Sequence, residues 1–433
     1  MKQDPVRYVA EWWVPAPADP DINTLYFNPD GMLGFETKHT GVLTYDGEEI
    51  ELELFKVRSK LPITHYHQYS VMWGEGLDGN IFTLFSLGSK DWTFGGWTNI
   101  KYRVKYVVIG QHILKPDEAF FTACIVQFPY LRNWLFHNNL SFQQIGGIFC
   151  CSLDITNAHI LAEQEVKHGV KWMLKDNKTS KHTIPYDVTI TQWTEFIISA
   201  PEGLPLLEYI RHIREFSQFL SIALYREQYP SRIQFFKKGG DSRFELLFEK
   251  SESTDPGILS MIKFDVVKEK LPSMLSVWHE NYDRVSPISS YLIQSFRRKS
   301  IFEVPDFLIL AQALDGYHKR FVNKIDGKNH KKYEDGIDAL LKDLKGVECV
   351  ERCHIDTKVL SDSRNKYSHL FPDEEISKAV DGRELLWLTK KCQVLLTCCL
   401  MKMLGMSNDE INQCYEKSPI QNMMDAAPFE FEK

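Results

Sequence analysis

Two hydrophobic periodicities divide the sequence. In about the first 200 residues, apolar and polar positions alternate with period two, or form β-branched and aromatic runs between Gly, Asn and Asp residues. This pattern is typical of strands, because successive side chains of a strand point to opposite faces of the sheet. The segments that predict strands are 51–55, 81–87, 103–108, 120–128 and 188–198. We therefore expect residues 1–200 to form a β-rich N-terminal domain, either sandwich-like or a rolled sheet.

After the last of these runs the period changes to three and four. Apolar positions in 204–225 keep this spacing and predict a helix that ends before Pro230. Two apolar runs, 233–236 and 244–248, flank a Gly-Gly-Asp turn and predict a hairpin. We interpret residues 201–300 as a connecting region of mixed helix and hairpin.

From residue 301 onward the pattern predicts a helical bundle. Pro305-Asp306 is typical of a helix start, and the apolar positions from Phe307 to Phe321 keep three-and-four spacing. Further predicted helices cover 333–344, 355–370 and 382–404. Four or five antiparallel helices fit residues 301–433. The predicted fold class is α+β, with a β-rich N-terminal domain followed by a C-terminal antiparallel helical bundle.

Composition and charge narrow the class of protein. Hydrophobic residues make up 43% of the 433-residue chain and charged residues 25%, which is typical of globular proteins and excludes a disordered or collagen-like chain. The formal net charge of −7 excludes a broadly basic nucleic-acid binder. Binding of nucleic acid by a local basic patch stays open.

Cysteine usage and hydropathy predict a cytoplasmic protein. The nine cysteines are an odd number, and the adjacent pairs Cys150–Cys151 and Cys398–Cys399 disfavour a regular disulfide framework. No run approaches the roughly 20 apolar residues that a membrane helix needs. Asp4 and Pro5 stand where a signal peptide would have its apolar core. We expect no membrane association.

Metal and cofactor motifs are weak. Cys349, Cys353 and His354 have no second Cys or His pair that would complete a closed zinc site, so ordinary thiols explain them. His65 and His67 would point the same way from a strand, but no carboxylate motif accompanies them. The sequence contains no phosphate-cradling glycine loop and no GxSxG motif. We predict no metal and no cofactor.

Three segments place an arginine a few residues before a histidine: 58–65, 132–137 and 364–369. The first contains a proline among predicted strands, and the second encloses Trp, Leu and Phe, which favour burial. The third encloses Asn, Lys, Tyr and Ser near the end of a predicted bundle helix, which suits the lining of a cleft. Its pattern resembles the active-site motif of HEPN-domain ribonucleases, in which Arg and His are four to six residues apart.

We therefore select Arg364 and His369 as the catalytic residues, with Asn365 and Lys366 as supporting residues. A solvated helix end is the alternative interpretation. Histidine titrates near neutral pH and can act as acid or base, and arginine offers phosphate a planar, permanently charged fork. Both suit metal-free cleavage of RNA, in which the 2′-OH attacks the adjacent phosphorus and a cation stabilises the added charge.

The spacing of this pair predicts a dimeric active site. Arg364 and His369 lie about 140° apart around an ideal helix, so one helix alone does not bring them together. Asn365 is the helical neighbour of His369 four residues earlier, where it could orient the imidazole. One chain also supplies a single histidine of the motif, whereas the reaction needs an acid and a base. A homodimer or higher even oligomer would bring two Arg and two His into one cleft.

A basic segment near the first bundle helix is the predicted RNA contact. Residues 318–332 contain Lys319, Arg320, Lys324 and three further lysines against Asp326 alone. We predict weak contacts to RNA phosphates for the three residues named first. A solvated loop is the alternative interpretation.

The whole arrangement resembles the ApeA family of bacterial anti-phage proteins, which pair a β-rich N-terminal domain with a C-terminal HEPN domain. Besides the Arg-His motif, residues 307–321 resemble the first HEPN helix of that family, and residues 128–135 resemble a Leu-x-x-Trp stretch of its N-terminal domain. The family has Glu in the first helix where this chain has Asp315. Asp315 is therefore a secondary site residue with a shorter reach toward the catalytic Arg.

The resemblance implies an abortive-infection role. Residues 1–200 would be a sensor or regulatory domain, and residues 301–433 an endoribonuclease that stays quiet until a phage-derived trigger appears. Cellular or phage RNA would be the substrate, with transfer RNA as one candidate.

Two other hypotheses stay open. In one, the protein is a non-catalytic binding protein, whose β domain binds a carbohydrate or a phage protein and whose bundle only dimerises. In the other, Arg132 and His137 are the active pair, which requires both side chains to be exposed.

Overall fold

The computed structural model describes most of the chain. The described residues are 5–15, 36–59, 68–90, 96–135, 140–145, 148–153, 159–167, 169–183, 187–239, 242–249, 253–255, 257, 259–297, 302–322, 332–372 and 378–431. The predicted RNA contact Lys324, together with His65, His67 and His137, lies outside these ranges.

The first six strands close into a barrel. They are β1 (Val6–Trp13), β2 (His39–Tyr45), β3 (Ile50–Ser59), β4 (Gln68–Gly76), β5 (Ile81–Ser89) and β6 (Gly96–Ile109). Antiparallel pairs join β1 to β2, β2 to β3, β3 to β6, β6 to β5, β5 to β4, and β4 back to β1. Gly74 of β4 lies opposite Trp12 of β1, and a Cβ at Gly74 would stand 2.3 Å from the indole. The glycine therefore makes room for the buried Trp12 ring.

The later strands continue from one edge of the barrel as an open sheet. They are β7 (Phe120–Gln127), β8 (Leu140–Ile145), β9 (Ile148–Leu153), β10 (His159–Lys167), β11 (Val170–Thr183), β12 (Asp187–Pro205), β13 (Arg232–Phe236) and β14 (Arg243–Phe248). β14 pairs with the end of β6, and the sheet then runs β14-β13-β7-β12-β11-β10. β8 and β9 pair with each other as a separate hairpin. The hairpin predicted after residue 232 is thus present, and it belongs to the main sheet.

Two long helices cover the open sheet. The helices of this part are α1 (Leu131–Leu135), α2 (Leu206–Leu224), α3 (Phe264–Val267) and α4 (Leu271–Ser295). Phe216 of α2 stacks on Phe196 of β12 with 3.9 Å between the ring centroids. Trp278 of α4 donates its indole N–H to the main-chain oxygen of Glu215 in α2 at 2.8 Å. Aromatic packing therefore fixes α2 on the sheet, and α4 on α2.

The C-terminal part is helical. Its helices are α5 (Val304–Tyr317), α6 (Tyr333–Asp343), α7 (Glu348–Arg352), α8 (Thr357–His369), α9 (Gly382–Met403), α10 (Asn408–Tyr415), α11 (Pro419–Ala426) and α12 (Pro428–Phe431). After α5 the chain continues in a π-helical turn, His318–Val322. The helices predicted after residue 304 are present at α5, α6, α8 and α9, with ends that differ by a few residues.

Local sequence explains the start of α5, and packing explains its position. The main-chain N–H of Glu303 donates to Asp306 Oδ2 at 3.2 Å, and Pro305 occupies the first turn, which is a capped helix start. Tyr317, at the other end, donates its hydroxyl to the main-chain oxygen of Cys399 in α9 at 2.7 Å. The bundle is built around the buried α9, and α8 lies against α5 and α6.

The predicted α+β fold class is confirmed, and the rolled-sheet alternative describes the N-terminal part. The barrel encloses its own buried apolar cluster. The open sheet, α2, α4 and the bundle share a second, continuous cluster. In the ranges that the structure describes, every helix is too short or too polar to cross a membrane.

Candidate active site

The predicted motif lies on the second half of α8. The N-cap Asp356 accepts hydrogen bonds from the main-chain N–H groups of Lys358 at 2.8 Å and Val359 at 3.1 Å. Those two bonds satisfy donors that a helix start leaves unpaired. At the other end, Leu370 adopts the left-handed conformation, with φ of 54°, and stops the helix directly after His369. His369 is therefore the last residue of α8.

Arg364 is held against α6. Its guanidinium carbon lies 5.4 Å from the centroid of the Tyr333 ring, within cation–π range. Its Nη1 donates to Asn365 Oδ1 at 3.0 Å. The side chain is half-buried, so α8 presents the cation from a defined position and leaves part of it accessible.

Tyr333 connects Arg364 to the first bundle helix. Its hydroxyl donates to the main-chain oxygen of Ala311 in α5 at 3.1 Å. Burial raises the pKa of the Tyr333 hydroxyl well above its ordinary value, the charge of Asp315 adds to the rise, and Arg364 opposes it. Tyr333 therefore stays neutral and acts as a hydrogen-bond donor. The sequence analysis did not select it, because its contact with Arg364 is between helices 31 residues apart in the sequence.

Asp315 faces its own helix. Its Oδ2 lies 2.7 Å from Lys319 Nζ, one helical turn later. Within the described ranges, no ion pair joins Asp315 to Arg364. The charges of both side chains nevertheless act on the Tyr333 hydroxyl, Asp315 raising its pKa and Arg364 lowering it.

His369 is exposed at the end of α8. Its ring is tilted against Phe371 with 5.4 Å between centroids. Leu370 is 84% exposed and Phe371 is 44% exposed, which is unusual for two adjacent apolar side chains. The imidazole thus stands on a small apolar surface. Asn365, the predicted neighbour of His369, uses its amide oxygen to accept from Arg364.

The residues between Arg364 and His369 fasten the helix end. Tyr367 donates its hydroxyl to the main-chain oxygen of Val380 at 3.1 Å, and Val380 N donates to Ser363 Oγ at 3.0 Å. The Tyr367 ring also meets Phe307 of α5, edge to face. Lys366 Nζ lies 5.7 Å from the Tyr367 ring. Lys366 is therefore the second cation of this end of α8.

The predicted RNA contacts lie at the other end of α5. Lys319 is exposed and pairs with Asp315. Arg320 donates to the main-chain oxygen of Arg284 in α4 at 2.6 Å, and Arg284 donates back to the main-chain oxygen of Arg320. Phe307, near the start of α5, contacts Tyr367 at the end of α8. Lys319 lies about 18 Å further along the axis of α5. The structure therefore separates this basic turn from His369 and joins it to α4.

Of the alternative pair, Arg132 and His137, the structure describes Arg132, which makes contacts that hold the fold together. Arg132 donates to the main-chain oxygen and to Oε1 of Gln192 in β12, at 3.2 and 2.8 Å. Trp134 and Leu135 are buried, as predicted, and Trp134 donates its indole N–H to the main-chain oxygen of Ile262 at 2.7 Å. His137 lies outside the described residues, as does most of segment 58–65.

The cysteine cluster near α7 belongs to the core. Cys349 and Cys353 are buried free thiols, and burial raises the pKa of Cys353 well above its ordinary value. Cys349 Sγ lies 3.4 Å from Cys398 Sγ, a thiol–thiol contact.

In the part of the chain that the structure describes, one group of three side chains could share a metal ion: His212, Glu215 and His279, on α2 and α4.

Comparison with protein families agrees with this layout. Residues 7–278 match the family model of the ApeA N-terminal domain 1, which is well over half of the chain. The chain belongs to the ApeA family. Residues 308–410 match the Apea-like HEPN family, and this range contains α6 to α9 and nearly all of α5. No curated protein and no solved structure matches the chain.

The ApeA resemblance read from the sequence is thereby confirmed. The family supports an anti-phage HEPN nuclease role in general, and HEPN domains generally act as RNA-binding dimers. The HEPN match includes Arg364 and His369.

Proposed function

We propose that this ApeA-family protein is a metal-independent endoribonuclease that protects bacteria from phage by abortive infection, with Arg364 and His369 as its catalytic residues. The observation that carries the proposal is the end of α8. There a half-buried Arg364 and an exposed His369 lie one and a half turns apart inside the range that matches the HEPN family. Asn365 and Lys366 are the supporting residues.

Each of these side chains has its own role in the proposed reaction. One imidazole removes the proton of the 2′-OH, which attacks the adjacent phosphorus, and a second imidazole protonates the 5′ oxygen as its bond to phosphorus breaks. The products are a 2′,3′-cyclic phosphate and a 5′-OH end. Arg364 stabilises the charge on the phosphorane oxygens. Tyr333 and Asn365 position the Arg364 guanidinium by the contacts described above.

A dimer completes this site. Each chain supplies one Arg364 and one His369, and their helix places them about 140° apart. Two α8 ends related by a two-fold axis would provide the acid, the base and two cations. The exposed Leu370 and Phe371 beside His369 support a second copy of the chain as the neighbour.

The remaining parts have proposed roles as well. Lys319, Arg320 and Lys324 contact phosphates of the RNA, for which transfer RNA is one candidate. Residues 1–200 sense a phage-derived trigger, residues 201–300 connect, and residues 301–433 cleave. The Arg284–Arg320 contact between α4 and the basic turn supports communication between the two ends of the chain.

The chemistry of the RNA ends tests the proposal. RNA from infected cells that express the protein should carry new 5′-OH and 2′,3′-cyclic phosphate ends. Purified full-length protein should cleave a model RNA equally with and without EDTA. A matched RNA with a single 2′-deoxy sugar at the cleavage position should resist. Cleavage of the deoxy substrate, 5′-phosphate ends, or activity that EDTA removes and Mg²⁺ restores would contradict the mechanism. Protection without RNA cleavage would favour the non-catalytic binding protein.

Two substitutions of Tyr333 separate its ring from its hydroxyl. Tyr333→Phe keeps the ring near Arg364 and removes the bond to Ala311, so it should cost about 1 kcal/mol of stability and leave RNA cleavage nearly unchanged. Tyr333→Leu also removes the cation–π contact, so cleavage should fall roughly two- to fivefold further. Initial cleavage rates and urea midpoints of the full-length variants measure both effects. Equal rates for the two variants would show that the ring does not position Arg364.

A further inference from the structure

A buried cluster of metal-binding side chains lies between α2 and α4. His212 and Glu215 are three residues apart on α2 and so share one face of that helix. His279 reaches them from α4. One ligand atom from each residue lies within 4.8 Å of the other two. His212 and Glu215 are in the part of the chain that matches the N-terminal ApeA domain, and His279 directly follows that part. The cluster is on α2 and α4, apart from the α8 site.

Both imidazoles point a nitrogen at the same carboxylate oxygen. His279 Nδ1 lies 2.6 Å from Glu215 Oε2, and His212 Nδ1 lies 3.7 Å from it. His212 is 5% exposed, and its Nδ1 has no hydrogen-bond partner. Buried polar nitrogens are normally satisfied, so this atom needs a ligand that Glu215 does not supply at that distance.

The surroundings hold the three side chains in place. Glu215 Oε1 accepts from Arg211 Nε at 3.0 Å, and Arg211 in turn pairs with Asp283. The Trp172 ring meets both imidazoles edge to face, with centroids 5.7 and 5.5 Å away. Oε2 and the two Nδ1 atoms face one another inside this frame. Such outer contacts orient ligands in metal sites.

We propose that His212, Glu215 and His279 bind one divalent transition-metal ion of the zinc type, through the two Nδ1 atoms and Oε2, with water as the fourth ligand. Imidazole and carboxylate are ligands that Zn²⁺ prefers. Zinc bonds of about 2.0–2.2 Å in a tetrahedron place ligand atoms about 3.3 Å apart. The observed 2.6 and 3.7 Å therefore adjust by less than about 1 Å. Each imidazole binds the ion as the tautomer that carries its proton on Nε2, which leaves the Nδ1 lone pair free for the metal.

The site would join two helices and perform no chemistry on RNA. It fixes α2 to α4, and α4 continues to Arg284, which contacts the basic turn of the bundle. The sequence analysis predicted no metal, because it sought ligands at short spacing. His279 is 64 residues from Glu215, so only the packing of α4 on α2 brings the set together. The proposal is independent of the proposed nuclease mechanism, and its test uses no RNA.

Metal binding by the tag-free, full-length protein tests the site. After treatment with a chelator, wild type should take up about one Zn²⁺ or Co²⁺ per chain, with a higher Tm and an absorption spectrum of tetrahedral Co²⁺. His279→Gln and His212→Gln should weaken Co²⁺ binding at least about 100-fold. His112→Gln, which alters a histidine stacked on Trp73 elsewhere, is the matched control and should bind normally. Mg²⁺ should have no effect.

Two results would overturn the proposal. One is wild-type protein that takes up no Zn²⁺ or Co²⁺ and shows no change in Tm. The other is uptake that persists in both variants, which would place the ion elsewhere. The wild-type measurement decides the first result even if a variant fails to fold. In that case the Co²⁺ spectrum of wild type decides whether nitrogen and oxygen ligands in a tetrahedral site bind the ion.

Discussion

Replacing His369 with alanine is expected to lower RNA cleavage at least about 100-fold, because acid–base catalysis by a positioned side chain contributes about 10²–10⁴ in rate. Both the acid and the base of a two-fold symmetric site are lost together. Folding should be unaffected, since His369 is the exposed last residue of α8 and its ring lies against the partly exposed Phe371. Cleavage rates, plaque counts and urea midpoints of wild type and variant measure the three effects.

Two other histidines serve as controls for this prediction. His354 is exposed in the same bundle, just after α7, so His354→Ala should keep both cleavage and protection. His137→Ala tests the rival pair and should also keep them. If His137→Ala abolished cleavage and His369→Ala did not, the active pair would be Arg132 and His137.

Dilution with inactive chains tests whether the site is shared. Wild type and the Arg364→Ala/His369→Ala double variant are co-expressed in equal amounts and assort at random. If the active site needs both chains, the mixture should have about one quarter of the activity of the same amount of wild-type protein. The reason is that about one quarter of its dimers contain two wild-type chains. Independent sites in each chain would retain about one half.

Replacing Glu215 with alanine is expected to lower the free energy of unfolding by about 3–5 kcal/mol, since it leaves Arg211 and two buried imidazoles without the carboxylate that they face. Glu215 is fully buried and contacts Arg211, His212 and His279. Asp283→Ala is the matched control. It removes the other partner of Arg211, but Asp283 is 80% exposed, so the cost should be under about 1 kcal/mol. Urea unfolding in the presence of a chelator compares the variants, and equal losses would contradict the prediction.

The same carboxyl predicts an acid dependence of stability. Burial opposes ionisation of Glu215, but the hydrogen bond to His279 and the nearby His212 outweigh burial and lower its pKa from 4.5 to about 2. The unfolded chain therefore binds more protons between these values. The stabilisation is complete above about pH 4.5 and is lost as pH falls toward about 2. Wild type should lose more stability over this range than Glu215→Ala.

Local patterns predicted the elements that carry the site. The alternation in 51–55 and 81–87 became β3 and β5, and the spacing in 355–370 became α8, with its end at His369. Such predictions succeed because the hydrophobic periodicity of a strand or helix can be recognised within a short stretch of sequence. The Arg364–His369 motif could be selected for the same reason, since both residues lie on one short segment.

Local patterns could not predict contacts between segments that are far apart in the sequence. Nothing local indicates that β5 pairs with β6 and closes the barrel, that Tyr333 lies against Arg364, or that Arg320 contacts Arg284. Each depends on which surfaces are buried together.

The sequence by itself determined that a β-rich part precedes a helical part, the family resemblance and the segment that carries Arg364 and His369, because each is encoded in local stretches of chain. The tertiary structure decided which side chains meet. It placed Arg364 beside Tyr333, left His369 exposed between apolar neighbours, and brought His279 to Glu215. These contacts form because the helices and strands bury a shared apolar core. The free energy of that burial is a sum over many residues that are far apart in the sequence.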